Sequence, residues 1–190
     1  MTSPTSLTLA GVALWLALGV VSAGTWWPAP VRWIAGSRGR LVVALSTVLV
    51  GTGAVALLGA LGAGAEGPLR WLTVAAGVLA AVASGSVVTR CILGLAAGST
   101  APTSRVRTTV LRAGAWIGVL ERLALCGTLL AGFPLGLAAI VAVKAFARYP
   151  ELKTAQATGA IERFIIGTFA SLGWAALCVG VVEVVTRGSR

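Results

Sequence analysis

The sequence predicts an all-α membrane protein, a single transmembrane domain over residues 1–190 built as a bundle of about six spanning helices. Three observations predict it. Hydrophobic residues make up 57% of the chain and charged residues 11%, whereas soluble domains carry about 25% charged residues. The mean hydropathy is +0.96. Apolar runs of spanning length recur along the chain, separated by short segments that collect the Arg, Trp, Pro and Gly residues.

The first run is LTLAGVALWLALGVVSAG, residues 7–24. VSAG has the look of a cleavage site, but the preceding MTSPTS carries no positive charge, so a retained span is expected rather than a secretory signal. In TWWPAPVRWIAGSRGR, residues 25–40, Trp26, Trp27 and Trp33 read as interface anchors, and Arg32, Arg38 and Arg40 mark a cytoplasmic loop. The second helix is expected over 41–63. Its end, GALGAGAEG, is rich in small residues, which either let another helix approach closely or simply fill gaps.

A turn at Glu66, Gly67 and Pro68 leads to a third helix over 69–89, with an extension to 97 left open. GSTAPTSRVR, residues 98–107, is the most loop-like stretch, and Arg90, Arg105, Arg107 and Arg112 around it read as cytoplasmic. The fourth helix is expected over 110–131. Gly132, Phe133 and Pro134 form a tight turn, with Pro134 suited to the first position of the fifth helix. That helix, 134–149, should close at RYPELK, because Pro150 disfavours helix at the residue before it. The sixth covers 158–186.

Charge bias then orients the bundle. The basic loops at 32–40, 90–112 and 148–163 fall on one side, as the positive-inside rule requires of a multi-pass protein of the bacterial cytoplasmic (inner) membrane. Both termini should lie outside the cytoplasm, with Arg187 and Arg190 in mild conflict with the rule. Arg outnumbers Lys 13 to 2, and Ala, Gly and Val dominate, which fits a GC-rich bacterial genome.

Composition also excludes chemistry. The chain has no His and no Asp. A Ser-His-Asp triad cannot be built in cis, and neither can a helical HExxH zinc site. Phosphatases with a His nucleophile and membrane transferases with Asp-bound metal are likewise out. Cys91, Cys126 and Cys178 lie in apolar runs without ligand-like spacing and read as small buried hydrophobes. No cofactor and no metal are implied. The net charge of +10 sits in short loops, so no soluble basic surface exists to hold nucleic acid.

The residues that call for explanation are Glu121 and Arg122, side by side in WIGVLERLALCGTLLAGF, residues 116–133. A charge at mid-span costs about 2.5–3.5 kcal/mol on insertion scales. Adjacent helical residues do not face each other, and the positions three and four away carry no charge, so the partners must come from other helices. Folding the fourth and fifth helices back about Pro134 brings Glu121 level with residue 147, between Lys144 and Arg148. Glu162 and Arg163 open the sixth helix from the same side, with Glu162 the expected partner of Arg122. Glu121, Arg122, Lys144, Arg148, Glu162 and Arg163 are therefore expected to converge at the inner leaflet. The excess of cations there favours an anion, such as a lipid phosphate, over a metal. Glu183 has Arg187 four residues on, a self-sufficient pair. LERLALCGT at 120–128 echoes IERFIIGT at 161–168, through either duplication or chance.

The run IGVLERLALCGTLLAGFPLGLAAIVAVKAFARYPELK, followed by ERFIIGTFASLGWA, resembles the C-terminal membrane region of a family of uncharacterised bacterial integral membrane proteins. The shared order is IGxLER, an apolar hairpin, AxKxxxRxxELK and a helix bearing IGT, over residues 114–176. The resemblance implies a polytopic inner-membrane protein and singles out Glu121, Arg122, Lys144, Arg148, Glu151, Lys153 and Gly167. It implies no activity. Longer members carry a His-bearing N-terminal segment, and this chain has no His.

Two functional expectations stand side by side. One is a small transporter, channel or lipid- or anion-handling protein that uses the charged cluster. The other is a non-catalytic membrane subunit or scaffold that binds a partner protein, or a second copy of itself, through its helices. The short fifth helix leans to the first, and the small-residue ridge of the second helix leans to the other.

Overall fold

The computed structural model describes residues 4–24, 37–62, 64–96, 108–154 and 158–187. The Trp26, Trp27 and Trp33 anchors, Arg32, the 98–107 loop and Arg190 lie outside them, as do the side chains of Arg112, Glu151 and Lys153. Among the described residues all regular structure is helical: α1 Pro4–Gly24, α2 Arg38–Leu61, α3 Gly67–Ala96, α4 Thr108–Leu130, α5 Gly136–Thr154 and α6 Thr158–Arg187. Four of these, α1, α2, α3 and α6, are long and apolar enough to cross a membrane.

The helix ends follow local chemistry. Pro4 sits in the first turn of α1, where its missing N–H costs nothing. α2 begins three residues earlier than the apolar run because Ser37 caps it, its Oγ accepting from the Arg40 amide at 3.2 Å. α4 ends in a Schellman motif on Gly132, whose φ of +73° suits glycine. The Phe133 amide donates to the Thr128 carbonyl at 2.8 Å and the Gly132 amide to Leu129 at 3.0 Å.

Two expectations about proline are corrected. Pro134 lies in the turn, and α5 starts at Gly136, because the carbonyls of Phe133 and Pro134 are occupied by the amides of Gly136 and Leu137. The chain also stays helical through Pro150 to Thr154. A helix-interior proline removes one backbone donor, a loss that neighbouring groups can cover in membrane helices.

α3 and α6 form the central pair and share the broadest interface. α1 and α2 pack on α3, α2 also meets α6, α4 bridges α3 and α6, and α5 packs broadly on α4 alone. The buried face of α3 is Thr73, Ala76, Gly77, Ala80, Ala81, Ser84, Gly85 and Val88. Its small side chains let branched residues and Trp15 come in close: a Cβ at Gly77 would collide with Val182 and approach Trp15 at 3.0 Å. The small residues of α2 do the same work. A Cβ at Gly51 would meet Leu18, and one at Gly59 would meet Val185. At Gly51 and Gly59 the space is filled from within the chain.

The turn between α2 and α3 is tied down as well. The Ala65 amide donates to the Val185 carbonyl at 3.2 Å, satisfying one of the last carbonyls of α6. Large apolar side chains face outward all round, including Val20, Val43, Val50, Leu57, Trp71, Leu79 and Phe169. Helices apolar on every side belong inside either a large core or a membrane.

The packing at Gly59 yields a test. Gly59→Ala should destabilise the protein by about 1–3 kcal/mol through overpacking, read as a lower thermal midpoint in detergent. Gly53→Ala, where nothing lies within 4 Å, should be neutral or mildly stabilising. Equal effects at the two positions would refute the close α2–α6 contact.

Candidate functional site

Glu121 and Arg122 point to different helices. The inward face of α4 carries Val119, Arg122, Leu125 and Cys126, all buried. Arg122 is only 3% exposed. Its guanidinium donates from Nη1 to Ser171 Oγ on α6 at 3.1 Å and from Nη2 to the Val82 carbonyl on α3 at 3.1 Å. Nε has no partner. Two glycines make the room: a Cβ at Gly85 would lie 2.6 Å from Arg122 Cδ, and one at Gly118 would lie 3.3 Å from Nη1.

These partners sit halfway along the longest helices. Val82 is 15 residues from Gly67 and 14 from Ala96, and Ser171 is 13 from Thr158 and 16 from Arg187. At a rise of about 1.5 Å per residue the guanidinium lies roughly 20 Å from either end. It occupies the middle of the bundle, away from the end at which the inner-leaflet cluster is expected. A polar seam continues beside it along α3 and α6. Trp174 Nε1 donates to Ser84 Oγ at 2.9 Å, and Ser84 passes its own proton to the Ala80 carbonyl. Thr168, one turn from Ser171 on the same face, has a buried hydroxyl without a partner.

Glu121 turns toward α5 and forms an ion pair with Lys144. The two side chains are 11% and 21% exposed respectively. α5 meets α4 along Gly136, Ile140 and Lys144, its least exposed positions, spaced four apart. Gly136 packs directly on Thr128. The pairing falls three residues short of the level expected from folding about Pro134, because the hairpin turns on Gly132 instead. Arg148 lies one turn beyond Lys144 and is exposed.

Glu162 and Arg163 stay apart from this centre. Both are exposed and line a groove of about 200 Å³ with Leu93, Ala96, Gly159 and Ile166 at the opposite end of α6 from Arg187. Ser171 lies nine residues further along α6, about 14 Å away at 1.5 Å per residue. Glu162 is therefore not the partner of Arg122; a serine and a backbone carbonyl are. Glu151 and Lys153 belong to α5, with their side chains outside the described residues. Gly167 packs on Leu93 and Thr89. The expected six-residue cluster thus resolves into an ion pair, a separately buried arginine, an exposed Arg148 one turn beyond the pair, and an exposed end groove.

Ser171, Ser84, Trp174, Gly85 and Gly118 are the residues that sequence reasoning missed. The signal was Ser171 and Trp174 three apart in an apolar helix, matched by adjacent Ser84 and Gly85 in another. Cys91, Cys126 and Cys178 are buried and unbridged. Among the described residues, no group of three His, Cys, Asp or Glu could hold a metal ion. No protein-family model, curated protein or solved structure matches this chain.

The Glu121–Lys144 contact can be measured. Glu121→Gln and Lys144→Met should each lower the thermal midpoint, and the double variant should recover much of the loss. A coupling of about 0.5–3 kcal/mol is expected for groups in contact, toward the low end because both retain some solvent access. Strict additivity in the cycle would mean that the two side chains do not interact.

Proposed function

We propose that this chain is a six-span integral protein of the bacterial cytoplasmic membrane and that it acts as a non-catalytic membrane component. In this reading its intramembrane charges hold helices in register, and the protein works through contacts of the assembled bundle. The burial of Arg122 carries the proposal. Two of its nitrogens are engaged within the chain, and Gly85 and Gly118 close around it. Hydrogen bonds to charged groups contribute about 1.5–3 kcal/mol each, enough for two of them to offset the cost of one mid-span charge. With both terminal nitrogens engaged, the guanidinium has acceptors without a ligand. Glu121 and Lys144 likewise neutralise each other.

The six-span reading adds the α4–α5 hairpin to the four long apolar helices, on the support of its exposed side chains Trp116, Ile117, Leu120, Val143 and Phe146. α5 is held mainly by α4, so its remaining apolar face is free for lipid or for a neighbouring helix. Arg38, Arg40, Arg90, Arg148 and Arg163 lie toward one end of the bundle, which the positive-inside rule reads as the cytoplasmic side.

A small transporter or anion-handling protein is the second reading, and one observation favours it. Arg122 Nε and Thr168 Oγ1 are both buried without partners near the middle of the bundle, where unsatisfied polar groups are expensive and often functional.

Two experiments test the proposal. A cysteine placed at Ser104 should label only from the cytoplasm, and one at Gly67 only from outside; the reverse pattern would overturn the orientation. Complementation of a deletion strain separates the two functional readings. Glu121→Gln/Lys144→Met should restore growth or any other deletion phenotype to the wild-type level, because it keeps the fold. A stable double variant that fails to complement would place these charges in function instead.

A further inference from the structure

Away from the buried charges, the C-terminal end of α6 and the start of α3 enclose an open groove of about 410 Å³. Small-molecule sites span about 300–1,000 Å³. Its charged lining is balanced: Glu66 and Arg70 on one wall, Glu183 and Arg187 on the other, with Thr186 between them. The second wall is self-satisfied, since Arg187 Nε donates to Glu183 at 2.9 Å. The first is not. Glu66 precedes the first residue of α3, and Gly67, with a left-handed φ of +52°, takes it out of helical register with Arg70. Neither side chain forms an ion pair or hydrogen bond with another described residue. An acid and a base are held open in one groove.

The frame of the groove is fixed. Ala65, 1% exposed, donates its amide to the Val185 carbonyl, and the Leu69 amide donates to the Glu66 carbonyl at 3.1 Å. The Thr186 hydroxyl donates to the Val182 carbonyl at 2.9 Å, which holds that side chain against its own helix. The surroundings are apolar and outward-facing: Leu61, Trp71, Leu72 and Val184 are all exposed. A Trp beside an Arg at a helix end marks headgroup depth in a bilayer.

We propose that this groove binds the zwitterionic headgroup of an aminophospholipid, phosphatidylethanolamine in chemical class. Glu66 takes the ammonium and Arg70 takes the phosphate. The charge pattern selects against the alternatives. A headgroup of net negative charge such as phosphatidylglycerol brings no cation to neutralise Glu66. The quaternary ammonium of phosphatidylcholine has no N–H to give to Glu66. The site rests on the membrane reading above, which alkaline carbonate extraction checks on its own: release of the chain from membranes would sink that reading whichever lipid binds.

The binding test is native mass spectrometry of the full chain released from nanodiscs holding equal amounts of phosphatidylethanolamine, phosphatidylcholine and phosphatidylglycerol. The wild type should retain phosphatidylethanolamine preferentially. Glu66→Gln should cut its preference over phosphatidylcholine roughly tenfold, the loss expected for one charge-assisted hydrogen bond. Arg70→Gln should lower retention of all three lipids. Both residues are exposed, so both variants should keep the wild-type thermal midpoint. Adding phosphatidylethanolamine should raise that midpoint in the wild type and not in Glu66→Gln/Arg70→Gln. Equal retention of the three lipids by the wild type, or unchanged retention by both variants, would overturn the proposal. So would tight binding of soluble phosphoethanolamine with no lipid retained, which would make the ligand a free zwitterion.

Discussion

A guanidinium buried halfway along the bundle is the constraint around which the rest of the structure is arranged. Arg122 carries five N–H donors in a planar fork and cannot shed its charge. At that depth it needs acceptors, and its neighbours are apolar helices whose backbone carbonyls are already committed. The two acceptors it finds are Ser171 on α6 and the Val82 carbonyl on α3. Reaching both fixes the relative height of three helices. It also explains why α3 presents Gly85 where any larger residue would strike the side chain, and why α4 presents Gly118 one turn before Arg122. Sliding α4 by a turn would move the guanidinium by about 5.4 Å and lose both acceptors together.

The neighbouring acid extends the same logic outward. Because successive helical residues diverge by about 100°, an inward Arg122 forces Glu121 to the flank of α4. α5 supplies Lys144 there. Two consecutive residues therefore tie α4 to different parts of the protein, one to the central α3–α6 pair and one to the peripheral α5. α5 leans on this arrangement most heavily. Its contact stripe is a glycine, an isoleucine and the lysine, and most of its other side chains face outward. The Schellman turn at Gly132 sets the hairpin level that brings Lys144, and not residue 147, beside Glu121.

What the sequence made legible follows from the kind of force involved. Six helices could be placed because burial in an apolar medium acts on whole runs of residues and leaves a long signal. The Glu121–Lys144 pair could be reached because opposite charges in a short hairpin have few places to meet. Arg122 could not be solved by the same search. Looking for a charged partner led to Glu162, whereas the real acceptors were a hydroxyl and a main-chain oxygen, neither conspicuous in sequence. Nor does local motif settle environment. LER at 120–122 and IER at 161–163 look alike, yet Arg122 is 3% exposed and Arg163 lies open at a helix end. Depth along the helix, not the tripeptide, decides. The prolines misled for a related reason: Pro150 breaks helices in water by orphaning a carbonyl, and that penalty can be met by other groups in a membrane helix.

The charges at the centre also bear on what could move through it. Arg122, Lys144 and Glu121 together leave one positive charge near the middle of the bundle, with the arginine sealed by glycines and the lysine held by its acid. At an effective dielectric of about 20, a second cation brought within 4 Å of the guanidinium meets about 4 kcal/mol of repulsion. A cation pathway along the α3–α4–α6 interface would have to overcome that before any desolvation cost. An anion would be attracted, but it would have to displace Ser171 and the Val82 carbonyl from the fork and part the helices that those bonds hold. The two ends of the bundle differ in kind. There the charged side chains are exposed, the grooves are open, and a ligand can bind without disturbing the packing. In a chain of this composition the buried charges define the architecture, and exchange with the surroundings falls to the ends.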